Sequence, residues 1–164
     1  MKSMKKLVTL LLSLVMLCAL AMPAMADVTT LYSITINGAK DHKYTAYQVL
    51  RGVYFHGDGN NHTDANKEYL SDVQWGDDVN DATILTALQE STIIGADFAG
   101  KTKAEEVAYV LQGYANKSEK LDEFARIVGK NLKAGVAGKS SGVVGEDKKA
   151  TISDLTAGYY FVKD

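Results

Sequence analysis

Lys43-Tyr44-Thr45-Ala46-Tyr47-Gln48-Val49-Leu50-Arg51-Gly52 is the stretch around which the rest of the chain is organised. Aromatic and β-branched residues crowd it, the mixture that fits a pleated surface. Gln48 is the only interruption between Tyr44 and Leu50, so both faces are expected to be covered. That is the signature of a central strand, and a central strand needs neighbours. No residue in it has the look of a catalytic group, and the segment reads as the middle of a scaffold.

Upstream, Leu31 to Asn37 alternates: Tyr32, Ile34 and Ile36 point one way, Leu31, Ser33 and Thr35 the other, which predicts a half-buried strand. The polar link Gly38 to His42 is short enough for this strand and the central one to pair as a hairpin. Downstream, Val53 to Phe55 continues extended, 57–67 is a polar loop, and Tyr69 to Trp75 alternates again before Gly76.

The period then lengthens to about 3.6. Asp81 is placed to cap a helix carrying Ile84, Leu85 and Leu88. Thr102 with Glu105 forms the pattern of a capping box ahead of Val107, Ala108, Leu111 and Tyr114. Ser118 heads a third helix with Leu121, Phe124, Ala125, Val128 and Leu132 on one stripe. These stripes read as core-facing, and the three helices as an excursion between strands. The Gly-, Ser- and Lys-rich stretch 133–149 reads as a mobile loop, and 150–162 as strand–turn–strand about Thr156-Ala157-Gly158. The chain then stops at Asp164 in mid-structure, which is expected of a truncated reading frame.

The first 26 residues stand apart. Lys2, Lys5 and Lys6 precede an apolar run from Leu7 to Leu20, Pro23 breaks it, and Ala24-Met25-Ala26 supplies the small residues of a cleavage site. This pattern predicts a signal peptide over 1–26, cleaved before Asp27, and a single domain over 27–164. The apolar run is too short to span a bilayer, and Leu17 before Cys18 does not suit a lipidation site. Removing three lysines and no acids takes the formal charge from −2 to −5, which argues against nucleic acid and against an anionic membrane surface as partners. Cys18 and Pro23 go with the leader, so an extracellular domain without disulfides must hold by its core or by some other crosslink.

Motifs for chemistry are sparse. Asp58, Asn60, Asp64 and Asn66 alternate as in a calcium loop, but Thr63 stands where the turn needs glycine and Tyr69 where a bidentate glutamate belongs. His56 and His62 have no cysteine or HExxH partner to complete a zinc site. Gly138-Lys139-Ser140 has the tail of a phosphate loop without its earlier glycine or preceding strand. No nucleophile elbow is present, and Glu105 and Glu106 read as a solvated helix surface. Asn61 and Asn116 head glycosylation sequons by pattern alone. Catalytic, cofactor-binding and metal-ligating residues are therefore assigned to none of these, no cofactor is expected, and the chain is not expected to be an enzyme.

The order of three blocks is more specific than any motif. Tyr44 to Gly52, then Leu70-Ser71-Asp72-Val73-Gln74-Trp75-Gly76, then, after the helices, Ile152 to Asp164 with Gly158-Tyr159-Tyr160-Phe161-Val162 at its heart resembles the N-terminal domain of major (backbone) pilin subunits. These build the sortase-assembled pili of Gram-positive bacteria. The resemblance implies an α+β fold, an Ig-like β-sandwich with a helical insertion at about residues 81–132. It also implies a secreted, wall-linked shaft subunit whose partners are other pilin subunits, with a host surface ligand as a further partner.

Subunits of this kind are joined by sortase through a pilin-motif lysine and an LPxTG-type threonine. The mature chain has no proline, so both signals are expected beyond Asp164. The family also commonly carries internal Lys–Asn isopeptide bonds. Burial makes the lysine amine neutral and nucleophilic, while a protonated carboxyl polarises the amide. Lys40 and Lys43 flank the early strands where a donor would sit, but residues 150–164 hold no asparagine to accept, and both read as exposed lysines. The alternative function is a secreted or wall-anchored adhesin module that binds a host protein or glycan without polymerising.

Overall fold

The computed structural model describes residues 30–56 and 68–164. The expected central strand is β2, Lys43–His56, preceded in the chain by β1 (Tyr32–Asn37) and followed by β3 (Glu68–Trp75). Four helices follow: α1 (Asp81–Gln89), α2 (Gly95–Phe98), α3 (Ala104–Gln112) and α4 (Glu119–Lys130). Then come β4 (Lys139–Val143), β5 (Lys149–Leu155) and β6 (Gly158–Lys163). The architecture is mixed α/β, and every sheet pairing is antiparallel.

β2 is the hub. One of its edges carries β6, from Thr45↔Lys163 to Arg51↔Gly158. The opposite edge is shared by β4 beside Lys43–Ala46 and β3 beside Leu50–His56. In the gap between β4 and β3, the Asp78 carboxylate accepts from the Gln48 N–H at 2.6 Å, and the Gly76 N–H donates to the Val49 carbonyl at 2.8 Å. A Cβ at Gly76 would lie 2.1 Å from the Gln48 carbonyl oxygen, so the close approach requires glycine.

Both faces of β2 are covered, as its composition predicts. Ala46 packs with Val162, Ile34, Ile36, Ala150, Ile152 and Leu155 between the four-stranded sheet and a β1–β5 ribbon. Val49 and Leu50 face the helices with Phe98, Phe124, Val107 and Phe161. Adjacent residues share a face here because the register slips at Val49, which has no counterpart on β6 between Tyr160 and Tyr159.

The helical block is an insertion with a closed root. Val79 bridges Leu132, the Asn80 N–H donates to the Asn131 carbonyl, and the Lys133 N–H to the Asp78 carbonyl. The chain thus leaves and rejoins the sheet at one point, at the boundaries expected for the insertion. Most of each predicted stripe is buried: Ile84 and Leu88; Ala104, Val107, Ala108 and Leu111; Phe124, Ala125 and Val128; Leu85, Tyr114, Leu121 and Leu132 are only partly buried.

Four local expectations need correction. β1 does not form a hairpin with β2; it pairs with β5, and the 38–42 link crosses between the sheets. The link is held by the β4–β5 connection instead, through Gly38 N–H to Lys148 carbonyl and Asp41 N–H to Val144 carbonyl. Residues 133–149 are not all loop, because β4 lies within them; only Ser141 of its five residues is buried, so no apolar pattern marks it. Asn80 rather than Asp81 caps α1, its side chain accepting from the Thr83 N–H. At α3 the box carboxylate is Glu106, not Glu105, and it accepts from the N–H groups of Thr102 and Lys103 at 2.8 and 3.0 Å. Ser118 caps α4 as expected, accepting from the Leu121 N–H.

Candidate functional site

The three sequence blocks that stand out from the rest become neighbours. Tyr44–Gly52 lies in β2, Leu70–Gly76 in and just after β3, and 152–164 runs through β5 and β6, with β3 and β6 both paired directly to β2. Their polar residues serve this junction. The Gln48 side-chain amide donates to the Thr156 hydroxyl at 2.9 Å and to the Tyr160 hydroxyl at 3.1 Å. Tyr160 in turn donates to the Thr156 carbonyl at 2.9 Å, and burial is the main cause raising its phenol above the ordinary value. Gln48 therefore interrupts an apolar strand in order to hold the β5–β6 turn.

Two other polar groups sit in the helical block. Asp97 on α2 accepts from the Tyr114 hydroxyl and from the Lys120 ammonium, each at 2.7 Å, beside a shallow concavity lined by Val110, Gly113, Ala115 and Ser118. The Lys120 and Tyr114 hydrogen bonds hold the Asp97 carboxyl below its usual range; burial, then Asp97, push the Tyr114 phenol well up. Glu123 on α4, 8% exposed, accepts two bonds from the Arg126 guanidinium at 2.6 and 2.5 Å and one from the Ser91 hydroxyl at 2.9 Å. Arg126 is the main cause keeping its carboxyl below the ordinary value. In both groups an ionised carboxylate accepts from donors on neighbouring segments, an arrangement that ties the helices to each other. A second shallow groove runs between β3 and the starts of α1 and α3, lined by Trp75, Val73 and Leu85 together with Arg51, Lys103 and Glu105.

Internal amide formation needs a buried lysine, a nearby asparagine or aspartate and a protonated carboxyl. Among the described residues no lysine and no asparagine is buried. Lys40 is half exposed and ion-paired with the exposed Glu146, and Lys43 is exposed at the start of β2. Lys120 meets an aspartate, but one held ionised, which opposes condensation.

The remaining sequence features fall out separately. Gly138-Lys139-Ser140 leads into strand β4, paired with Thr45 and Ala46, and no helix follows it to bind phosphate. Glu105 is exposed, and Asn116 is exposed in the α3–α4 turn. His56 ends β2, whereas residues 58–66 with the calcium-like pattern, His62 and Asn61, and the signal peptide expected over 1–26, lie outside the described residues. No cluster of metal-ligating side chains occurs among the described residues, and no described helix is long and apolar enough to cross a membrane. Sequence reasoning missed the Asp97–Tyr114–Lys120 and Glu123–Arg126–Ser91 groups. The i,i+3 spacing of Glu123 and Arg126 was the one available signal. No protein-family model, no curated protein and no solved structure matches the chain.

Proposed function

We propose that the chain is a secreted structural subunit of a covalently polymerised pilus, and that residues 27–164 form its N-terminal domain. In this reading 1–26 is a signal peptide, the facing sheets are a variant of an Ig-like sandwich, and sortase joins copies through signals beyond Asp164. The observation that carries the proposal is the convergence of the three blocks: the segments that resemble backbone pilins in sequence order are also spatial neighbours around β2. The polar groups described above act between structural elements, which suits a scaffold.

The test is made on the cell-wall fraction of the source organism. An antibody against this chain should reveal a ladder of detergent-resistant species that collapses to one band when sortase is deleted. A single wall-linked band with sortase present would overturn the shaft reading and leave the adhesin alternative. N-terminal sequencing of the exported protein should begin at Asp27.

A further inference from the structure

The chain has one tryptophan, and it lines the groove between β3 and the starts of α1 and α3. Trp75 closes β3. With Val73, two residues earlier, and Leu85 of α1, it packs against the helical core and stays partly exposed in the groove. A strand and a helix seated on one core supply this apolar surface, so it is held in place before any ligand arrives. Polar groups with spare hydrogen-bonding capacity adjoin it. Arg51 donates to the Gln74 side-chain oxygen at 3.1 Å and to Asp77 at 3.2 Å, which leaves the Gln74 amide nitrogen free to donate. Among the described residues no acceptor meets the Trp75 indole N–H, and neither the Glu105 carboxylate nor the Lys103 ammonium is ion-paired.

Charge and backbone decide what this groove suits. Two cations, Arg51 and Lys103, are matched by two acids, Asp81 and Glu105, so the lining has no net charge with which to hold an anion. An extended peptide is poorly served as well. Adding a strand to β3 needs an even edge, and at Asp72, φ +48°, a bulge opposite Gly52 breaks the run of outward backbone groups. A pyranose ring matches the groove on both counts. Its weakly positive C–H face packs on the negative face of an indole, and its hydroxyls both donate and accept. Glu105 is an acceptor for them, and Gln74, Lys103 and the indole N–H are donors. We infer that the groove binds a neutral oligosaccharide, with Trp75 as the platform and Gln74, Lys103 and Glu105 as partners of its hydroxyls. Its volume, about 560 Å³, lies within the range of roughly 300–1,000 Å³ usual for small-ligand sites. This gives the surface ligand of the pilus reading a place and a chemistry, but the groove does not depend on polymerisation.

Because Trp75 is the only tryptophan, the indole emission of the full chain reports on this groove alone. Titrated with maltotriose, cellotriose and lacto-N-tetraose, the emission should change saturably with at least one of the three. Sialyllactose, which carries a carboxylate, should give no saturable change. Glu105→Ala keeps the tryptophan and alters an exposed position on α3, so the fold is retained. It should weaken binding about fivefold, as the loss of one hydrogen bond does. Trp75→Ala, followed through the NMR signals of the sugar, should abolish binding. No saturable change with any of the three neutral sugars, or equal binding by Glu105→Ala, overturns the site. A saturable response only to an extended hexapeptide of alternating valine and threonine would overturn it in favour of strand addition at β3. None of these outcomes alters the sortase-dependent ladder, so failure of the glycan site and failure of the shaft reading are told apart.

Discussion

The two layers on either side of the central sheet are held in different ways. Toward the β1–β5 ribbon, the described core is eight buried residues, mostly isoleucine, valine and alanine, edged by Tyr32, Tyr44 and Tyr160. Toward the helices it is sixteen, with Phe98 and Phe124 stacked at a 6.4 Å centroid separation. Charge divides the same way. Asp97, Glu106 and Glu123, the carboxyls held below their ordinary values among the described residues, all lie in the helical block. The ribbon packs on the sheet through aliphatic side chains; the helical block adds aromatic packing and ionised side chains. One strand, β2, supplies both cores, so the layers should unfold together although their chemistry differs.

Phe98→Ala tests the larger core hardest. The ring is fully buried, and its loss should cost about 3–5 kcal/mol, against about 0.5–1.5 kcal/mol for Ile152→Val in the ribbon core. Chemical denaturation should show one transition shifted in each variant. Two separate transitions for Phe98→Ala would mean that the layers are not coupled through β2.

Acid should separate the layers more selectively. Glu123 has a folded pKa below the ordinary 4.5, so the folded state binds its proton less readily than the unfolded state does. Its contribution is present in full above that value and is lost as pH falls through the lower folded one. Below about pH 4.5, amide protection should therefore weaken in α1, α2 and α4 before it weakens in β1 and β5. Glu123→Gln should remove part of this pH dependence and destabilise by about 1–3 kcal/mol at neutral pH, because Arg126 and Ser91 lose their anionic acceptor. Simultaneous loss in both layers would mean that Glu123 stabilises the whole coupled fold, and no loss on acidification would show that the charge asymmetry has no energetic weight.

The helical layer offers a smaller test at its cap. Ser118→Ala leaves the Leu121 N–H without its acceptor and should cost about 1 kcal/mol, measured from the denaturant midpoint at constant slope. No change would mean that solvent replaces the hydroxyl at this turn.

The same contrast explains which parts of the fold were legible in the sequence. Long periodic segments declared themselves: β2 and β3 by β-branched and aromatic content, and three helices by stripes that the structure buries. α2 is four residues long, less than two helical turns, and shows no period. β4 shows none because its single buried side chain is a serine. Alternation says that β1 is half-buried but not which strand it pairs with, since a hairpin and a crossing between sheets bury the same residues. The shift of the caps to Asn80 and Glu106 shows how two adjacent polar residues compete for one position, with backbone geometry deciding between them. The polar groups of the helical block join residues far apart in sequence, such as Ser91 with Glu123, and only folding brings them together.

The smallest predicted effect, that of Asp154→Gly, lies in the ribbon. Two residues of β5, Ser153 and Asp154, oppose Ser33 alone, and Asp154 takes φ +59° to absorb the extra residue. β3 uses the same device at Asp72, φ +48°, opposite Gly52. Aspartate tolerates this left-handed region better than most residues with a Cβ, which is why an acid occupies the middle of two strands. Asp154→Gly removes the residual steric cost but frees the unfolded chain, so the two terms oppose and stability should change by only about 0.5 kcal/mol. Asp154→Val keeps the exposed position and the strand propensity but meets the full left-handed penalty, about 1–2 kcal/mol. Thermal melts of the pair discriminate. If valine is tolerated as well as glycine, the bulge is adaptable, and the β1–β5 register is set by the alternation of Ile34 and Ile36 against Ile152 and Ala150, not by the turn at Asp154.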